Sequence, residues 1–237
     1  MLFCVESIMT FSLAQGIRPA TPRVVPFATY ILFLILGSLL MSVAQHAHWD
    51  PRWLYGVKIA CVALVLGCFW RGYAELHRAP APSARDWQLA VVVGLLVFVL
   101  WINLDQPWAS IGAPAVFDAS REGGGIDWSL VAVRWIGAAL VVPLMEELFW
   151  RSFVLRWLQR QDFWRLAPAQ ITMKVSLITA VLFAVEHNLW LAGLAAGFAY
   201  NWLYIRTGKL WVPVIAHAVT NGALGVWVVT TRNWQFW

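Results

Sequence analysis

The chain has 237 residues, is 61% hydrophobic and only 12% charged, and contains 17 Trp; its mean hydropathy is +0.67. A soluble domain carries about 25% charged residues, so composition excludes an ordinary soluble protein. The net charge of +5 does not indicate a nucleic-acid partner, because the basic residues lie between apolar runs, where the positive-inside rule accounts for them. The runs do not alternate as the strands of a β-barrel would. The expected fold is therefore all-α: a polytopic transmembrane helical bundle of about seven to eight membrane helices.

Residues 1–26 read as a basic or interfacial N-terminal segment. Met1–Leu13 is apolar but interrupted by Glu6, and it lacks the basic start of a cleaved signal peptide. Arg18 and Arg23, among Pro19, Pro22 and Pro26, lead into the first span. A unit over residues 27–127 then holds three expected spans. These are Phe27–Gln45, Trp53–Trp70, whose Lys58 stands near enough to one end to snorkel, and Trp87–Leu104. His46, His48 and His77 fall in loops and read as solvated. Residues 105–127 form an acidic loop with three consecutive glycines, Gly123, Gly124 and Gly125.

A second unit over residues 128–237 carries four spans. The first starts at Trp128 and leads into Glu146-Glu147-Leu148-Phe149-Trp150-Arg151; Arg134, deep within it, would snorkel or pair with a loop acid. Ile171–His187 follows, then Leu189–Ile205, whose Gly193 and Gly197 have the small-xxx-small spacing of closely packed helices. Trp211–Thr230 is the last span. The side shared by the N-terminus holds most of the basic residues, including Arg71, Arg78, Arg85, Arg156, Arg160 and Arg165. The N-terminus is thus expected to be cytoplasmic, in the bacterial cytoplasmic (inner) membrane.

Charges inside a bilayer need partners or a function, since each costs about 2.5–3.5 kcal/mol at its centre. Glu147 and Arg151 stand four apart on one helix face, as do His217 and Asn221. If the helix of Glu146 runs on through Arg151, His187 on the following span reaches a similar depth. Two carboxylates, two imidazoles and an amide would then meet. Such a set suits hydrolysis: a buried carboxylate is a competent base for water, and imidazole and amide groups can orient it or stabilise an oxyanion. Nucleophilic catalysis has less support, because no Gly-x-Ser-x-Gly elbow occurs.

At these residues the sequence resembles the CAAX-protease and bacteriocin-processing enzyme (CPBP) family of intramembrane peptidases, the type II CAAX prenyl protease group. Glu146-Glu147-x-x-x-Arg151, Phe183-x-x-x-His187 and His217-x-x-x-Asn221 are similar to the family's three motifs and occur in its order. The resemblance implies that Glu146 activates water, Glu147 supports it and pairs with Arg151, His187 contacts the water, and His217 with Asn221 forms the oxyanion site. It implies an intramembrane endopeptidase acting on a membrane-associated protein or peptide in the bilayer. No cofactor is expected, as there is no His-Glu-x-x-His motif; the alternative is a zinc enzyme using Glu146, His187 and His217 as ligands. A membrane scaffold or immunity-type binding protein is the non-enzymatic alternative, and a transporter a weaker one, since no repeated halves occur.

Overall fold

The computed structural model describes residues 2–113 and 116–237, with side chains from Pro19 onward. The interfacial reading of Met1–Leu13 lies outside the described side chains. Each expected span falls on a helix, joined by turns and short 3-10 segments. Helix α1 (Leu2–Ile35) is followed by α2 (Gly37–His46). The expected continuous span over Phe27–Gln45 is instead bent by 60° at this junction. The bend falls beside Gly37, a poor helix former.

Caps fix the starts of the next helices. Asp50 accepts the Arg52 N–H in the turn before α3 (Leu54–Cys68). Ser83 and Asp86 form a reciprocal capping box on α4 (Ala84–Asn103). Asp127 accepts the N–H groups of Ser129 and Leu130 where the long helix α5 (Trp128–Gln159) begins. Three helices complete the bundle: α6 (Met173–Ala184), α7 (Trp190–Thr207) and α8 (Trp211–Thr231).

Among the described residues, four helical stretches are long and apolar enough to cross a membrane, five if the bent α1–α2 pair counts as one. They include α4, α5 and α8, together with Pro51–Cys68. Large apolar side chains such as Leu64, Leu96, Leu140 and Leu177 are exposed on the outside. The chain is an integral membrane protein. At 12 residues, α6 is about 18 Å long, short of a hydrocarbon core of about 30 Å.

The core forms where α4 and α7 pack against α8, and α8 against α5. Gly94 is required there: a Cβ on it would overlap the Ala216 carbonyl oxygen and lie 2.9 Å from Val219 Cβ. Gly193 and Gly197 do the same for α6 and α7, with Cβ positions 3.2 Å from Ala184 Cα and 3.0 Å from Ala180 Cα. Asn201 adds a hydrogen bond across that pair, donating to the Ser176 carbonyl at 3.0 Å. A buried polar cluster ties α1 to α5. Arg23 Nε donates to Glu75 Oε1 at 2.8 Å and to Ser152 Oγ at 2.9 Å. Ser152 also donates to Glu75 and receives Arg156 Nη2 at 2.7 Å.

Candidate active site

The helix of Glu146 does continue through Arg151, and α5 does so with two irregular turns. Residues Gly137–Val141 and Leu148–Val154 are π-helical, a form in which one extra residue enters the turn. Pro143 explains how the first turn is used. The Val142 N–H bonds to the Gly137 carbonyl, and Pro143 has no N–H to offer. The Ala138 carbonyl is left without a helical donor, and Asn221 Nδ2 fills that role at 2.8 Å. This bond anchors α8 to α5 and fixes the Asn221 amide beside the cavity.

Glu147 and Arg151 lie behind the cavity wall, each 0% exposed. Arg151 Nη1 donates to Glu147 Oε1 at 3.1 Å, and the same oxygen accepts His217 Nδ1–H at 2.9 Å. One carboxylate thus orients both an arginine and an imidazole. The Arg151 guanidinium is 4.4 Å above the Phe183 ring and 5.3 Å from that of Tyr200. Tyr200 stacks on His217 at 5.0 Å and donates its hydroxyl to Thr220 Oγ1 at 2.7 Å. Thr220 in turn donates to the Gly94 carbonyl at 2.8 Å. Tyr200 therefore joins α7 to α8 and also holds the ring of His217.

His187 does not end a helix, as the expected span over Ile171–His187 required; α6 stops at Ala184 and His187 sits in the following turn. Its Nδ1–H donates to the Phe183 carbonyl at 2.8 Å. Trp101 meets the ring edge-on at 5.3 Å. The 104–127 loop is strapped to this turn: Ile111 N–H donates to the Asn188 carbonyl at 2.7 Å, and Asn188 Nδ2 donates back to Ile111 and Gly112.

Glu146, His187, His217 and Asn221 line one cavity of about 180 Å³, with Tyr30, Trp101, Tyr200 and Arg134 in its wall. Glu146 Oε2 is buried and has no hydrogen-bond partner among the described residues. Both histidines present Nδ1 to the protein, which leaves Nε2 as the nitrogen available to a ligand. Glu186 lies outside this cavity, exposed, and accepts Trp150 Nε1–H at 3.0 Å. His46, His48 and His77 are exposed and lie outside it too. The alternative zinc ligands Glu146, His187 and His217 share the cavity. Yet among the described residues no group of three His, Cys, Asp or Glu side chains could hold a metal ion.

Two cations depart from expectation. Lys58 does not snorkel: it is buried, with its ammonium 4.0 Å from the Tyr30 ring centre and 5.1 Å from that of Tyr55. Arg134 neither snorkels nor pairs with a loop acid; it stacks 4.2 Å from Tyr55 and 5.3 Å from Phe117. Aromatic faces give both cations an internal resting place that a loop carboxylate does not reach. Tyr55 stands three residues before Lys58 on α3, but Tyr30 and Phe117 come from other segments, so neither partner set could be read in full from spacing. A lone glycine in an apolar run, Gly94, was the available sequence signal for close helix approach.

The family model described as type II CAAX prenyl endopeptidase Rce1-like matches residues 128–223. That segment includes all seven named residues of the three motifs. Over 187 residues the chain is 30% identical to YdiL of Bacillus subtilis (strain 168), a protein named as an inferred membrane peptidase; the match covers 73% of this chain and 70% of the relative. No solved structure matches the chain. Motifs, helical bundle and both matches agree, and the chain belongs to the CPBP family of membrane peptidases.

Proposed function

We propose that the protein is an intramembrane endopeptidase that hydrolyses a peptide bond in a membrane-associated protein or peptide. The observation that carries this reading is the unpartnered Glu146 carboxylate oxygen in a cavity shared with His187, His217 and Asn221. Glu146 takes a proton from a water molecule held between it and His187 Nε2. The water oxygen bonds to the scissile carbonyl carbon, and the carbonyl oxygen becomes an oxyanion against His217 and the second amide hydrogen of Asn221. Collapse breaks the C–N bond as Glu146 passes its proton to the departing amine. Glu147 and Arg151 are positioning residues: they hold the His217 ring and do not line the cavity.

The test compares membrane proteomes of cells carrying the wild-type or the Glu146→Ala protein. Loss of a general base lowers rate by about 10²–10⁴-fold. The expected result is a membrane-associated substrate that stays uncut in the variant while the variant itself remains folded in detergent. Equal processing by both proteins would refute the mechanism.

A further inference from the structure

A second pocket, of about 460 Å³, lies against the cavity. Phe33, Leu40, Met41 and Phe117 make it largely apolar, but Lys58 and Arg134 also line it. Their surroundings are unusual for buried cations. Lys58 is 8% exposed, and among the described residues it has no hydrogen bond or ion pair. Arg134 Nε is buried and has no hydrogen-bond partner either. Aromatic rings flank both, but a ring face accepts no strong hydrogen bond, so the Lys58 ammonium and Arg134 Nε are left without a protein acceptor among the described residues. The other charged groups of the pocket are engaged elsewhere. Arg52 pairs with Asp50 at 2.8 Å, and Asp118 Oδ1 accepts the Ser120 N–H at 2.7 Å.

Position indicates what those donors serve. Lys58 is five residues past Trp53 and Arg134 seven past Asp127, each about 7–10 Å along its helix from the end. The pocket is bounded by α2, whose Leu39, Met41 and Val43 are exposed apolar side chains. An occupant must therefore carry an anionic group just below the membrane surface and apolar chains beside α2. A diacyl phospholipid with a net negative headgroup has that form, and basic pockets between membrane helices recognise such headgroups.

We propose that this pocket binds the phosphate of an anionic phospholipid through Lys58 and Arg134, with its acyl chains along Phe33, Leu40 and Met41. The site goes beyond the peptidase reading and does not depend on it. Because Arg134 belongs to the walls of both pockets, lipid occupancy also fills one side of the active-site cavity.

Native mass spectrometry of the full chain, released from detergent in the presence of equimolar phosphatidylglycerol and phosphatidylcholine, tests the site. Two cationic contacts of about fivefold each give an expected preference of about thirtyfold for phosphatidylglycerol. Lys58→Met with Arg134→Met should abolish the preference, whereas Lys58→Arg with native Arg134 should keep it. The Lys58→Arg arm retains meaning even where the double variant is unstable. Equal binding of both lipids by the wild type would overturn the proposal, as would an unchanged preference in a folded double variant. A blocked hexapeptide with a free C-terminal carboxylate is the competing probe. Its displacement of phosphatidylglycerol, where the peptide amide displaces none, would assign the pocket to a peptide terminus instead.

Discussion

Replacing Arg151 by Met tests whether the buried charges behind the cavity act as one unit. Glu147 Oε1 has two partners, Arg151 Nη1 at 3.1 Å and His217 Nδ1 at 2.9 Å, while Glu147 Oε2 has none. Both members of the ion pair are 0% exposed, so water cannot replace a lost partner. Removing one partner of such a pair costs about 3–5 kcal/mol. At about 2–4 °C per kcal/mol for a chain of this size, Arg151→Met should lower the apparent melting temperature in detergent by about 6–20 °C. Glu147→Leu alone should cost a similar amount, because it strands the guanidinium. The double variant removes both charges, so its loss should fall short of the sum by about 2–3 kcal/mol. Thermal unfolding followed by tryptophan fluorescence measures all three. Additive losses, or a single-variant shift below about 2 °C, would show that the pair is not electrostatically coupled.

Gly94→Ala should destabilise by about 1–3 kcal/mol through overpacking, since its Cβ has no room between Ala216 and Val219. It should also reduce activity by shifting α8. Gly37→Ala, with nothing within 4 Å of the added Cβ, is the control and should be neutral or stabilising in the same melting assay. Glu75 gives a pH signature. Burial works to raise its carboxyl pKa, but the Arg23 guanidinium and hydrogen bonds from Arg23 and Ser152 prevail and hold it below the ordinary value. A folded-state pKa below the unfolded one contributes stability above the unfolded value, lost as pH falls through the folded one. Glu75→Gln should therefore cost about 2 kcal/mol near neutral pH, and the difference from wild type should close below about pH 4. A pH-independent difference would count against the ionic role of Glu75.

What the sequence disclosed and what it withheld divide along physical lines. Apolar runs identified every helix of the bundle, because burial in lipid demands them locally. The motifs named four residues that line the cavity, Glu146, His187, His217 and Asn221, while Glu147 and Arg151 lie behind its wall. The 60° bend at Leu36 and the early stop of α6 before His187 were not legible. Both depend on how neighbours pack rather than on hydropathy. The same holds for Arg134, which rests on Tyr55 and Phe117, and for the contact of Lys58 with Tyr30, since these rings come from other segments. Pro143 was visible all along, but its effect needed Asn221 of α8 as the alternative donor to Ala138.

The two π turns of α5 have a consequence for how its residues count against one another. Each admits one extra residue, and one residue is about 100° of helical rotation. Arg134, Glu146 and Arg156 are therefore separated by two phase shifts, and a helical wheel drawn over Trp128–Gln159 as uniform α-helix assigns them to the wrong faces. Deleting one residue within Gly137–Val141 would relax that turn to α-helix and leave Glu146 on its face, but would disturb the Ala138 carbonyl that Asn221 caps. Among relatives, a one-residue gap at either π turn would leave the site residues in phase, whereas the same gap in the regular part of this helix would rotate them by about 100°.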